Sequence, residues 1–239
     1  MIAGAFASFG TGAGGALTDK LMVPIPDRLM IFPLGEVVLF PGTLLPLHIF
    51  EQRYRKMIAD SMAGDRTIGM VLVRADSSGD APEDAPEVYP VGCAGQIVKH
   101  ESLPDGRSLV VLEGSVKFRI RRELDSGEPY RIVQPQALHE APVPIDQMRN
   151  WRDELRRRVD EYANNFEIDE KSVEGLFAGI ELERIVNYLS ATLPFEAVER
   201  QSLLECAGPE QRHHRLCELV DFKIAEAKLG LDSSRDLDA

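Results

Sequence analysis

Near Pro142 and Pro144 the hydrophobic period of this chain changes, and that change limits the fold more than any other feature. Upstream, apolar residues come in short runs or alternate with polar ones. Downstream they recur every three or four positions. Strands followed by helices, rather than strands interleaved with helices, imply an α+β arrangement of two segregated parts. The boundary is expected near residue 142, with a β-rich part over 29–141 and a helical bundle over 142–230.

The β-rich part opens with Leu29-Met30-Ile31-Phe32 and Val37-Val38-Leu39-Phe40, two apolar runs closed by Pro33 and by Pro41-Gly42. Both read as strands. Tyr54, Met57, Ile58 and Met62, with Phe50 before them, fall on one face of a helix expected over 51–63 and ended by Gly64. Ile68 to Val73 returns to a strand. Ala75 to Pro90 is acidic and proline-containing, with too little apolar surface to offset the entropy of ordering, so a mobile loop is expected. A strand over 91–100, a Pro104-Asp105-Gly106 hairpin turn and a return strand at 109–112 follow. After Glu113-Gly114, Val116, Phe118 and Ile120 alternate with Lys117, Arg119 and Arg121, which predicts one core face and one solvent face. Tyr130 to Ala137 reads as a last strand, broken at Pro135 and therefore at an edge.

In the helical part, Ile145, Met148, Trp151, Leu155, Val159, Tyr162 and Phe166 form one long stripe, with Asp146 read as the N-cap. A second helix carries Leu182, Ile185, Val186 and Leu189 and stops at Pro194. A third runs over 196–206, and Pro209 opens a fourth through Leu216, Leu219, Val220 and Ile224. Residues 1–28 are rich in glycine and alanine and read as a flexible tail. Gly10, Gly12, Gly14 and Gly15 lack the preceding strand that a phosphate-cradling turn requires. Residues 231–239 read as a disordered end.

Composition excludes several classes of function. With 39 acidic against 27 basic residues the net charge is −12, which argues against nucleic acid and against an anionic membrane surface. No segment approaches the roughly 20 apolar residues of a membrane span. Three scattered cysteines and no secretory leader suggest a reducing, cytoplasmic setting.

Candidate chemistry is sparse. Cys206, His213, His214 and Cys217 have the residue types of a zinc site, and His213 and Cys217 share a helical face. Their spacing is not a standard zinc pattern, so the expectation is no metal and no cofactor. Cys93, in an expected strand, reads as a small core residue, since no cation is placed by sequence to lower its pKa. His48 reads as a packing or turn residue. Arg152 to Arg158 looks basic, but Glu154–Arg158, Arg156–Asp160 and Arg157–Glu161 are i,i+4 pairs on a solvated face.

The order of these segments resembles a known family. Ile31 to Ile58, IFPLGEVVLFPGTLLPLHIFEQRYRKMI, is similar to the opening of the N-terminal substrate-binding domain of the Lon proteases. Val91-Gly92-Cys93-Ala94, Leu103-Pro104-Asp105-Gly106, Leu112-Glu113-Gly114, Leu193-Pro194-Phe195 and Gln201-Ser202-Leu203-Leu204-Glu205 resemble further family segments in the same order. The resemblance implies a PUA-like, partly open β-barrel with one helix, followed by a C-terminal helical bundle. It also implies a recognition module without the ATPase and Ser/Lys peptidase. The sequence has no G-x-x-x-x-G-K-[ST] loop, so neither an ATPase nor a protease domain is expected and no catalytic residue is carried over.

The expected function is therefore non-catalytic recognition of exposed apolar or extended segments in protein or peptide clients, in an adaptor or chaperone-like role. The alternative is a small-molecule or metal-binding sensor on the same barrel. Phe40, Pro41, Leu44 and Leu45, a turn mixed with large apolar side chains, are the expected peptide-binding residues. An exposed strand edge is a second expected mode of capture. The sequence does not specify an oligomeric state.

Overall fold

The computed structural model describes residues 25–74, 86–141 and 144–230. The glycine-rich tail up to residue 24, residues 75–85 of the acidic loop and the end at 231–239 lie outside the described residues. The described elements are six strands, β1 Leu29–Leu34, β2 Leu44–Ile49, β3 Thr67–Leu72, β4 Val91–Ser102, β5 Ser108–Leu124 and β6 Arg131–Leu138. Six helices accompany them: α1 Gln52–Ala63, α2 Ile145–Asn165, α3 Glu170–Phe177, α4 Leu182–Thr192, α5 Ala197–Glu205 and α6 Pro209–Lys228. None of these helices is long and apolar enough to cross a membrane.

They form two units. The β-rich unit runs to His139 and also takes in Glu196–Glu205, whereas the helical unit comprises Glu140–Phe195 and the chain from Cys206 onward. The chain thus leaves the helical unit to place α5 with the strands, then returns. In α5, buried Gln201 donates to the Val91 carbonyl at 3.0 Å, which fixes the helix beside the start of β4.

The sheet order is β2-β5-β4-β3-β1-β6, with β6 also paired to β5. Among the described strands only β1 and β3 are parallel; the crossover between them carries β2 and α1. Because β6 pairs with both β1 and β5, five strands curl into a partly open barrel, and β2 hangs on β5 at one end. Leu29, Ile31, Val71, Ala94, Phe118 and Val133 fill the interior of the curl. Gly69 and Gly92 make room for Phe118: a Cβ at either would come within 2.8–2.9 Å of its ring.

Several expectations change. Val37–Phe40 forms no strand; Leu39 and Phe40 are buried in an irregular stretch. The Thr43 hydroxyl donates to the Phe40 carbonyl at 2.8 Å, and Gly42 and Thr43 exchange backbone bonds with Gly114, so the backbone here is engaged by a turn rather than by a ladder. The strand appears next, as β2. The strands expected at 109–112 and 116–121 are one 17-residue strand, β5. Glu113-Gly114 does not interrupt it, because Gly114 lets the Phe40 carbonyl pass where a Cβ would be 2.1 Å away. Ser115 bulges there instead and donates to the Ala94 carbonyl at 2.9 Å.

The expected solvent face of β5 fails at Lys117, which is 3% exposed and paired with fully buried Cys93. Pro135 does not break β6, and the strand has two neighbours. At Pro135 itself only β5 is paired, since the β1 ladder ends at Val133 and a bulge lies opposite between Ile120 and Arg122. The proline's missing N–H is tolerated at that locally free edge.

In the helical unit α2 starts at Ile145, so Asp146 lies in its first turn rather than capping it. The sequence reading missed α3, although Asp169 caps it by accepting from the Ser172 N–H at 3.0 Å. The pairs Arg156–Asp160 and Arg158–Glu154 form, but Glu161 pairs with Lys228 at 2.7 Å in place of Arg157. Arg212, fully buried, donates to Glu140 and to Asn187 Oδ1, tying the first residue of the unit to α4 and α6.

Candidate functional site

Directly opposed residues of antiparallel strands share a face, and residues alternate along each strand. This rule traces one face of the β4–β5 ribbon along its length. At one end it carries Ala94, opposite Val116, and Phe118, opposite Gly92, into the barrel core. Two residues further along β4, Gln96 opposes Glu113, which opposes Leu44 of β2. Beyond the bulge at Val98 come the rows Lys99–Val111–Pro46 and Glu101–Leu109–His48. In this second stretch the face is open to solvent.

Large apolar side chains occupy that open stretch. Leu44 is 64% exposed, Val98 at the bulge 49% and Leu109 43%, and Phe50 just past β2 is 61% exposed. A shallow groove of about 340 Å³ crosses the three strands; Pro46, His48, Lys99, Glu101, Leu109 and Val111 are among its lining residues. The His48 ring stands 6.0 Å from that of Phe50. The opposite face is closed: Val110, Leu112 and Ile97 are buried there, and a Cβ on Gly95 would meet Leu39. The arrangement offers a largely apolar surface with Lys99 and Glu101 along the groove, which is chemistry suited to binding.

The expected peptide-binding set divides. Leu44 is 64% exposed at the barrel end of the open stretch, and Leu45 is half-buried on the other face of β2. Pro41 is half-buried in the turn. Phe40 is fully buried and leaves the set: its side chain is core, and its carbonyl is held by Thr43. The sequence reading missed Leu109, Val111, Val98 and the outward side of His48. The signal was the run Leu109–Leu112, apolar at consecutive positions and hence apolar on both faces of a strand.

The residues weighed for metal lie in the helical unit. Cys206, His213 and Cys217 are buried and His214 is exposed. His213 Nε2 lies 3.0 Å from the Trp151 carbonyl and 3.7 Å from Cys217 Sγ, and its ring stacks on Trp151. Burial pushes the Cys217 thiol up to about 12 and pulls the His213 imidazole below its usual value. A thiol so raised stays protonated, which is unfavourable for a metal ligand or nucleophile. Among the described residues no group of three or more His, Cys, Asp or Glu is placed to hold a metal ion. Cys93 is fully buried in β4, its Sγ directed to the Ala94 carbonyl at 3.4 Å.

Comparison with known proteins places these observations in a family. Residues 28–221 match the family described as ATP-dependent protease La (LON) substrate-binding domain. Similar sequences include a Lon protease of Trichlorobacter lovleyi, 29% identical over 82% of this chain and 24% of that protein. Another is a Lon protease of Cytophaga hutchinsonii, 27% identical over 83% of this chain and 24% of that protein. The chain therefore spans about a quarter of the length of these curated relatives. Among solved structures, the N-terminal domain of a Mycobacterium avium complex Lon protease shares the fold with a TM-score of 0.65 at 12% identity, covering 81% of this chain and 98% of that one. A Lon N-terminal domain protein from Xanthomonas campestris does so with a TM-score of 0.54 at 20% identity, covering 82% and 98%.

Proposed function

The chain belongs to the Lon substrate-binding domain family, and from that premise we propose that it recognises exposed apolar stretches of other polypeptides in an adaptor or chaperone-like role, without catalysis of its own. The observation that carries this reading is the open stretch of the β2–β5–β4 face, where Leu44, Leu109 and Val98 meet solvent together beside Phe50. Isolated exposed apolar residues are common on soluble proteins; several on adjacent strands over a groove mark an interaction surface. Folded proteins bury such residues and unfolded chains display them, so this surface discriminates by folding state.

A fluorescent, reduced and carboxymethylated protein titrated against this chain should bind, while the same protein in its native form should not. The double variant Leu44→Glu/Leu109→Glu should weaken that binding at least tenfold, with an unchanged thermal midpoint. Equal binding by the native protein, or by the double variant, would reject the reading.

A further inference from the structure

The exposed face ends at β2, and among the described residues β2 has a free edge. It closes one end of the strand order, paired to β5 alone among the described strands. The backbone hydrogen bonds described outside the regular elements include none from Leu44–Ile49. The edge is lightly defended. Exposed edge strands normally carry charges or prolines that prevent another chain from pairing with them. β2 reads Leu-Leu-Pro-Leu-His-Ile and contains no Lys, Arg, Asp or Glu. Pro46 is its only blunting residue. Apolar side chains flank this edge on both faces: Leu44 and Pro46 on the groove side with His48, and Leu45, Leu47 and Ile49 on the other.

We propose that β2 takes an extended client segment as an added strand, and that it selects a stretch of about six residues that is uncharged and apolar on both faces. This rests on the recognition role proposed above and gives it a mode and a sequence class. Charge complementarity fixes the occupant: a charged residue beside β2 would lose water and meet no countercharge on that strand. An amphipathic strand, polar on alternate residues, would leave the apolar side chains on one face of β2 without apolar contact. A uniformly apolar segment has neither cost, and its main chain satisfies the unpaired groups of the edge. Such segments are the ones a folded protein keeps in its core.

The test uses the full chain and four labelled peptides, read by fluorescence anisotropy. The parent is Lys-Lys-Val-Leu-Val-Ile-Leu-Val-Lys-Lys. Two versions carry N-methyl groups on the odd or the even members of the apolar six, which removes the donors from one edge and leaves every side chain in place. The fourth replaces alternate apolar residues with serine. The parent should bind, the serine version at least tenfold more weakly, and only one of the two N-methylated versions should lose tenfold or more, because a strand presents its donors alternately. If both N-methylated peptides bind like the parent, or both lose equally, the added-strand mode is overturned while face binding stands. Binding of the carboxymethylated protein without binding of the parent peptide overturns the mode as well. Absence of binding to both removes the recognition role itself. A dimer of this chain that the parent peptide does not dissociate would assign the edge to a second copy and overturn the proposal.

Discussion

Ala94 and Phe118 on the one hand, Leu44 and Leu109 on the other, lie on one continuous face of the sheet, yet the first pair is 0% exposed and the second 64% and 43%. Both stretches carry large apolar side chains, although the second also bears Gln96, Glu113, Lys99, Glu101 and His48. What differs is the curl. Strands β3, β1 and β6 close over the first stretch and fill it with Leu29, Ile31, Val71 and Val133, whereas among the described strands the second is bordered by β2 alone. An apolar pattern on a strand therefore specifies that something covers it, and the curl decides whether the chain itself supplies the cover.

The largest expected effect lies in the covered stretch. Phe118→Ala should cost about 3–5 kcal/mol of stability, measured by chemical denaturation, because it empties the centre of the core. A cost near zero would mean that the two stretches do not differ as described. Gly92→Ala should follow at about 1–3 kcal/mol, since the new Cβ would be 2.3 Å from the Met70 carbonyl and would press on Phe118. In the open stretch, Leu109→Ser should change stability by no more than about 0.5 kcal/mol. A larger loss would show that this leucine is structural and would weaken the recognition role.

Acid should distinguish the helical unit from both stretches. Desolvation holds the His213 pKa below its ordinary 6.5, and its buried Nδ1 has no hydrogen-bond partner among the described residues. The unfolded chain binds a proton near 6.5 that the folded chain resists. The helical unit should keep its full stability above that pH and lose it as pH falls below, by at most about 1.4 kcal/mol per pH unit. His213→Gln should flatten that slope in pH-dependent thermal melts. An unchanged slope would assign the acid sensitivity to other groups.

Elements set by local pattern were legible without the fold. Asp105-Gly106, with Gly106 at φ 81, gave the β4–β5 hairpin, and the stripe Trp151, Leu155, Val159 and Tyr162 gave α2. Elements set by distant partners were not. Val37–Phe40 has the composition of a strand but is held as an irregular segment by Thr43 and Gly114, and the LLPLHI stretch after it takes the strand position. Lys117 alternates correctly and is nevertheless buried. α3 was hidden because eight residues give a weak period, although the Asp169 cap marked its start. At the site, Leu44 was legible as an apolar residue in a turn-rich segment. Leu109 and Val111 were not, because nothing local says which face of a strand remains open.

By itself, the sequence determined the separation of strands from helices, the hairpin, the helical stripes and the family resemblance. These follow from periodicity, turn chemistry and segment order, all of which act over a few neighbouring residues. Only the tertiary structure decided that α5 returns to the strands, that Phe40 is core while Leu44 is surface, and that β2 pairs with β5 alone among the described strands. Burial depends on what packs above a residue, and for a strand that partner comes from a distant part of the chain, in a register no local pattern encodes.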